Sequence, residues 1–137
     1  MARGGFYSVD SLRGVHVLIV DYDAECRHLL SAVLQYCGAL ITAVESPETA
    51  LKVMALIRPD VLVVDATDGD KDGHWLIRHV RALKPEQGGV VPVIAVSAAG
   101  NPARTARAGA AGFVACLVKP VDPWQLCRVI AGVTTSS

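Results

Sequence analysis

Neither charge sign prevails in this sequence: 13 Lys and Arg stand against 13 Asp and Glu, a formal net charge of zero. A basic footprint for nucleic acid or anionic lipid is therefore absent, and neither direct nucleic-acid binding nor membrane binding is expected. No apolar run is long enough to cross a bilayer. Cys26, Cys37, Cys116 and Cys127 form no CxxC pair, and no signal-peptide core precedes them. That usage points to a reducing cytoplasm and free buried thiols, and it argues against a cysteine metal site. Low-complexity tracts and internal repeats are missing as well. With 137 residues, 52% hydrophobic and 19% charged, the chain suffices for one compact domain that buries a core without a staple.

What is present is alternation. Residues 1–14 are polar and Gly/Ser-bearing, and read as a loose leader or linker remnant. Val15 to Val20 reads as a strand. Ala24 to Cys37 reads as a helix with Cys26, Leu29, Leu30, Val33, Leu34 and Cys37 on one face and Gly38 as its stop. Ala39 to Val44 is a second strand, after which Ser46 caps a helix over Pro47 to Ile57 that ends at Arg58 and Pro59. The run Val61 to Val64 delivers Asp65 into an acidic, glycine-bearing loop. A helix over His74 to Leu83 follows, with Leu76, Ile77, Val80 and Leu83 inward and Pro85 closing it. After a turn over Gln87 to Gly89, Pro92 to Val96 forms a fourth strand ending in Ser97. Asn101 caps a short helix over Pro102 to Ala110 that holds no large apolar residue and should be mobile. Val114 to Val118 is the fifth strand, ending in Lys119 and Pro120, and Asp122 with Pro123 starts the last helix. The ordered body spans 15–133 and 134–137 is a tail. Such regular alternation predicts an α/β fold, a doubly wound five-stranded parallel sheet with helices on both faces.

Uninterrupted β-branched strands are buried on both faces, and in such sheets ligands bind beyond the carboxyl ends of the strands. Asp21, Asp65, Ser97 and Lys119 each end a different strand. As a set they have one chemistry in common. Carboxylates hold a hard divalent cation, a carboxylate attacks phosphorus, and a hydroxyl and an ammonium hold phosphoryl oxygens. Six of the nine aspartates (Asp21, Asp23, Asp65, Asp68, Asp70, Asp72) fall in two loops. Crowded carboxylates are costly, and a divalent cation is the simplest offset. The reaction class is phosphoryl transfer to a protein aspartate.

These residues resemble the receiver domain of two-component response regulators over about Val15 to Val133. VLIVDYDAE resembles that family's first acidic strand, RPDVLVVDATDGDKDG its phosphoacceptor strand, PVIAVSA its switch strand and LVKPVDP its lysine strand. The stretch RALKPEQGGVVPVIAVSA is similar to receivers attached to hybrid sensor kinases. The resemblance implies a flavodoxin-like sheet of order 2-1-3-4-5. It implies that Asp65 accepts a phosphoryl group from a histidine kinase or phosphotransfer protein, and that Asp21, Asp65 and the Thr67 backbone carbonyl hold Mg2+. Ser97 would swing toward the phosphate, Lys119 would pair with its oxygens, and the bond from Lys119 to Pro120 would be cis. A downstream protein would dock on the 102–130 face, and no external substrate would be turned over. Because no output domain follows the last helix, the output is expected to be a partner protein or a larger chain.

Departures set the alternatives. Tyr22 stands where the family has a second acid, which should weaken Mg2+ binding and leaves Asp23 as a substitute ligand if a turn brings it back. Asp68, Gly69 and Asp70 replace the usual apolar, Pro, Gly pattern, and Cys116 stands where an aromatic switch residue is common. Asp68, Asp70, Asp72 and Gly73 spell the opening of a calcium loop, but His79 falls where its bidentate Glu belongs. Asp21 and Asp23 form the DxD of a haloacid-dehalogenase-type phosphatase, without that family's later acidic pair. A third reading keeps the receiver fold and drops phosphorylation, leaving a constitutive interaction module. Trp75 and Trp124 read as partly buried surface rings in the first turns of their helices, and His28, His74 and His79 as helix surface residues.

Overall fold

The computed structural model describes residues 11–66, 73–97 and 112–135. Among them, five strands form one parallel sheet: β1 (His16–Val20), β2 (Leu40–Val44), β3 (Val61–Asp65), β4 (Val93–Ser97) and β5 (Ala115–Val118), in the order β2-β1-β3-β4-β5. The helices are α1 (Ala24–Tyr36), α2 (Pro47–Ile57), α3 (Gly73–Arg81) and α4 (Pro123–Thr135), with a short 3-10 turn over Pro85–Gln87. The expected helix over Pro102 to Ala110 lies outside the described residues.

The period of two along the central strands divides the core. Val17, Ile19, Val61, Val63, Ile94 and Val96 face one side, where Leu30 and Leu34 of α1 and Leu126 and Ile130 of α4 cover them. Leu18, Val20, Leu62, Val64, Val93 and Ala95 face the other, under Ala50 and Met54 of α2 and Leu76, Ile77 and Val80 of α3. Burying both faces requires apolar residues at every position, which is why these strands read as continuous runs.

Local chemistry sets the helix ends. Asp23 caps α1 by accepting from the Glu25 N–H at 3.0 Å. Ser46 caps α2 by accepting from the Thr49 N–H at 3.2 Å, with Pro47 at the first helical position. Gly38 ends α1 at φ +100°, the left-handed region where a glycine has no steric penalty. Arg58 takes that conformation at φ 47° to end α2 and donates to the Glu86 carbonyl.

Four expectations are corrected. Residues 11–14 are not loose, because Leu12 is fully buried and its N–H donates to the Cys37 carbonyl at 2.8 Å. A single apolar residue amid polar neighbours has no period to announce it. Leu29 does not face the sheet; it is 53% exposed. The third helix stops at Arg81, leaving Leu83 half-buried beyond it, and α4 continues to Thr135, into the expected tail. Among the described residues no helix is long and apolar enough to cross a membrane.

All four cysteines are free thiols, but two of them touch: the Sγ atoms of Cys37 and Cys127 lie 3.2 Å apart in the core. Burial, then the hydrogen bond to Cys37, pushes the Cys127 thiol up from 9.0 to about 12. A folded-state value above the unfolded one means a contribution that is complete below pH 9.0 and lost as pH climbs toward about 12. The thermal midpoint should therefore fall across that window, and Cys127→Val should make the fall shallower. Circular dichroism melts at a series of alkaline pH values would show it, and parallel curves for the two proteins would contradict it.

Candidate functional site

Strand register brings the site together. Val20 pairs with Val64, so the residues that follow, Asp21 and Asp65, stand side by side on neighbouring strands. Asp65 pairs with Val96, which puts Ser97 one step further along the same edge. Ser97 pairs with Val118, and the Lys119 N–H donates to the Ser97 carbonyl at 2.8 Å. Lys119 then reaches back over two strands. Its Nζ lies 3.4 Å from Asp21 Oδ2 and 3.5 Å from Asp65 Oδ2. The peptide bond between Lys119 and Pro120 is cis.

Asp21 is the one buried charged residue among those described, at 4% exposure. The Lys119 ammonium stands between the two carboxylates and offsets their charge. Partial burial pulls the Lys119 ammonium down, but Asp65 and then Asp21 outweigh it and hold it above its usual range. Cys26 shows the same field in reverse. Burial, then its hydrogen bond to Asp21 and that carboxylate's charge, pushes its thiol up to about 12. The pocket thus favours positive charge and rejects a thiolate.

The loop from β1 to α1 is tied down at both ends. The Asp23 N–H donates to Asp21 Oδ1 at 2.8 Å, and Arg27 Nη1 donates to the carbonyls of Asp21 at 2.6 Å and Tyr22 at 3.0 Å. These contacts leave Tyr22 58% exposed and commit the Asp23 side chain to capping α1. The turn that would return Asp23 as a substitute ligand has given it this other partner. Glu45, just past the end of β2, lines a small cavity of about 10 Å³ together with Asp21, Tyr22 and Asp65. That is room for roughly one water-sized occupant.

Asp21 and Asp65 fit a hard cation, offering two converging carboxylates at a strand edge. Among the described residues no group of three or more His, Cys, Asp or Glu side chains is arranged to hold a metal. Thr67, the carbonyl ligand implied by the resemblance, lies outside the described residues, as do Asp68, Asp70 and Asp72 of the calcium-loop pattern. His79 instead packs on Trp75, ring centroids 4.1 Å apart, and its Nδ1 lies 2.8 Å from the Trp75 carbonyl.

Two neighbours complete the surroundings. A cleft of about 460 Å³ opens between α1 and the loop after β5, walled by Cys26, Leu29, Lys119 and Pro120, which accounts for the exposure of Leu29. On the other side, a Cβ at Gly73 would lie 2.7 Å from Ala66 Cβ, so only glycine lets α3 start against the residue that follows Asp65. His74, next in α3, is not a surface residue as expected. It is half-buried, with its ring edge-on to Phe113 at 5.5 Å. Trp75 is half-buried and Trp124 is 39% exposed, edge-on to Tyr36 at 6.0 Å.

Sequence reasoning assembled Asp21, Asp65, Ser97 and Lys119 but passed over Arg27, Cys26 and Glu45. The same rule, a polar residue just past the carboxyl end of a strand, applies to Glu45 after β2 and would have found it. Arg27 carries no comparable signal, because it acts by reaching backbone carbonyls.

The doubly wound parallel sheet thus carries two acids and a lysine together at its carboxyl edge. The model of the response regulator receiver domain matches residues 17–131, and the chain belongs to that family. It is 34% identical over 122 residues to an uncharacterized 14.6 kDa protein of Leptolyngbya boryana, covering 89% of this chain and 92% of that one. It is also 30% identical over 117 residues to the Regulator of RpoS of Escherichia coli K12, covering 85% of this chain and 34% of that one. The chain thus spans nearly the whole of the first relative and about a third of the second. The chemotaxis response regulator CheY4 of Vibrio cholerae superposes with a TM-score of 0.77 at 25% identity, over 87% of this chain and 98% of that one.

Proposed function

We propose that the protein is a phosphorylation-dependent receiver in which Asp65 accepts a phosphoryl group from the phosphohistidine of a kinase or phosphotransfer protein in the cytoplasm. The observation that carries this reading is the convergence of Asp21 and Asp65 on Lys119, at 3.4 and 3.5 Å. An Asp65 carboxylate oxygen attacks phosphorus, the N–P bond breaks, and the imidazole leaves with the electron pair. Bound Mg2+, held by Asp21, Asp65 and the Thr67 carbonyl, would supply charge for the phosphoryl oxygens. Lys119 stabilises the charge that accumulates on the acyl phosphate, and Ser97 offers a hydroxyl from the adjacent strand. The new charge of about −1.5 to −2 draws Lys119 and Ser97 toward Asp65, and that shift is passed to a protein partner on the 102–130 face. Nothing in this cycle turns over an external substrate. Intact mass after incubation with acetyl phosphate, with and without magnesium, tests the reading; an unchanged mass under both conditions would overturn it.

Two observations favour a second reading, an interaction module that works without phosphorylation: Tyr22 stands where the family has an acid, and Asp23 is engaged as a helix cap. The two readings part on magnesium. In the first, Mg2+ binds weakly to the wild type, and Tyr22→Asp restores a carboxylate beside Asp21 and tightens binding roughly tenfold, a gain of about 1.4 kcal/mol. Asp23→Asn should leave the affinity nearly unchanged, while Asp21→Asn should lower it sharply. Calorimetric titration of the four proteins would decide. Loss of binding in Asp23→Asn with no gain in Tyr22→Asp would show that Asp23 has become the second acidic ligand.

A further inference from the structure

The contact between Cys37 and Cys127 belongs neither to the acidic edge nor to the cleft beside it. Cys37 closes α1 as its C-cap, and Cys127 sits near the start of α4, 90 positions further along. Both are buried, at 0% and 1% exposure, and their Sγ atoms are 3.2 Å apart. Bonded sulfurs stand about 2.05 Å apart, so the two sulfurs need approach by only about 1 Å more to bond. The other two thiols are placed differently. Cys26 lies beside Asp21, and Cys116 packs against the core on the opposite face of the sheet. One pairing is therefore arranged in advance, and the sheet keeps Cys116 away from it.

A single thiol in a dry core is a small apolar filler. Two in direct contact, joining elements far apart in the chain, can do something that two alanines cannot. We propose that Cys37 and Cys127 form a reversible disulfide that locks the end of α1 to the start of α4 when the protein meets a hydroperoxide. One thiolate attacks a peroxide oxygen to give a sulfenic acid and release water; the second thiol attacks that sulfur, forms the S–S bond and releases a second water. Overall two thiols and one hydrogen peroxide give one disulfide and two waters, with the sulfurs oxidised by two electrons and the peroxide reduced. A small dithiol reverses the reaction by exchange through a mixed disulfide.

The location gives the bond its consequence. Helix α1 starts from the loop that Arg27 ties to Asp21, and α4 follows the segment that carries Lys119. Joining them fixes the two helices behind the Asp21 and Lys119 side of the edge. It also closes a loop of 90 positions in the unfolded chain, a large constraint on that state. Because neither sulfur is exposed, reaction proceeds through molecules in which the helix end has opened, so it is slow in buffer and faster in mild urea.

The test uses the full, reduced chain treated with hydrogen peroxide and then quenched. Intact mass should fall by about 2 Da as two hydrogens leave, and thiol titration under denaturing conditions should drop from four to two. Peptide mapping without reductant should join the Cys37 and Cys127 peptides, and the oxidised protein should melt roughly 10 °C higher, reverting with dithiothreitol. Cys116→Ser should still form the bond and Cys127→Val should not. A link that includes Cys26 or Cys116 would overturn the proposal, as would oxidation to sulfinic acids with no link or a melting point that does not rise. The peptide map of the wild-type protein decides the matter even if a variant fails to fold.

Discussion

Incubation with acetyl phosphate and magnesium is expected to add one phosphoryl mass to the wild-type chain and none to Asp65→Asn. The amide preserves the shape of the carboxylate and its place at the end of β3, so the sheet should be undisturbed. What it removes is the anionic oxygen that the proposed transfer requires. Asp21 cannot take over: it is 4% exposed, and its Oδ1 accepts the Asp23 N–H. In the wild type, Lys119 sits against both carboxylates and must release Asp65 for an incoming phosphoryl group. Undiminished labelling of Asp65→Asn, with the mass mapped to another acid, would move the assignment elsewhere and leave the fold untouched.

Gly73→Ala should destabilise the protein by about 1–3 kcal/mol, lowering Tm by several degrees, and should slow labelling at temperatures where it remains folded. The added Cβ would stand 2.7 Å from Ala66 Cβ and 3.1 Å from Ala66 Cα. Contacts under 3 Å are not tolerated, and a backbone atom is part of the obstacle, so α3 or the end of β3 must shift. Ala66 is bonded through its N–H to the Val96 carbonyl at 2.7 Å, and the residue before it is Asp65. Whatever moves Ala66 therefore moves the proposed phosphoacceptor. Thermal melts with parallel labelling time courses would measure both effects. A Tm within about 1 °C of wild type would mean that the helix start has room that the contact distances deny.

The alternation of strands and helices was legible because each burial pattern leaves a period: continuous apolar runs for strands covered on both faces, and a three-to-four spacing for helices with one covered face. The acidic edge was legible for a topological reason. In a parallel sheet every strand delivers its carboxyl end to the same side, so Asp21, Asp65, Ser97 and Lys119 had to share one edge. Contacts that depend on side-chain reach were not legible. Leu29 has the spacing of a core residue, yet its turn of α1 borders a cleft, and periodicity cannot tell a covered face from a half-covered one. Leu12 enters the core from a turn, and turns have no period. His74 was misplaced because its burial depends on Phe113, which meets it from across the fold. Asp23 stands in a recognisable capping position before Ala24, and its side chain takes that simpler role.

The division of the core by the sheet has an energetic corollary. Val61 and Leu62 are joined by a peptide bond, yet they lie in different clusters, the first beneath α1 and α4, the second beneath α2 and α3. Leu62 and Val93 are on different strands but paired in register and packed in one cluster. Residues with no shared partners contribute additively to stability, and residues in contact do not. Truncations at Val61 and Leu62 should therefore couple less than truncations at Leu62 and Val93, which share a cluster and a register pair. For interactions across the faces of this domain, distance along the chain is no guide to which changes compensate one another; the side of the sheet is.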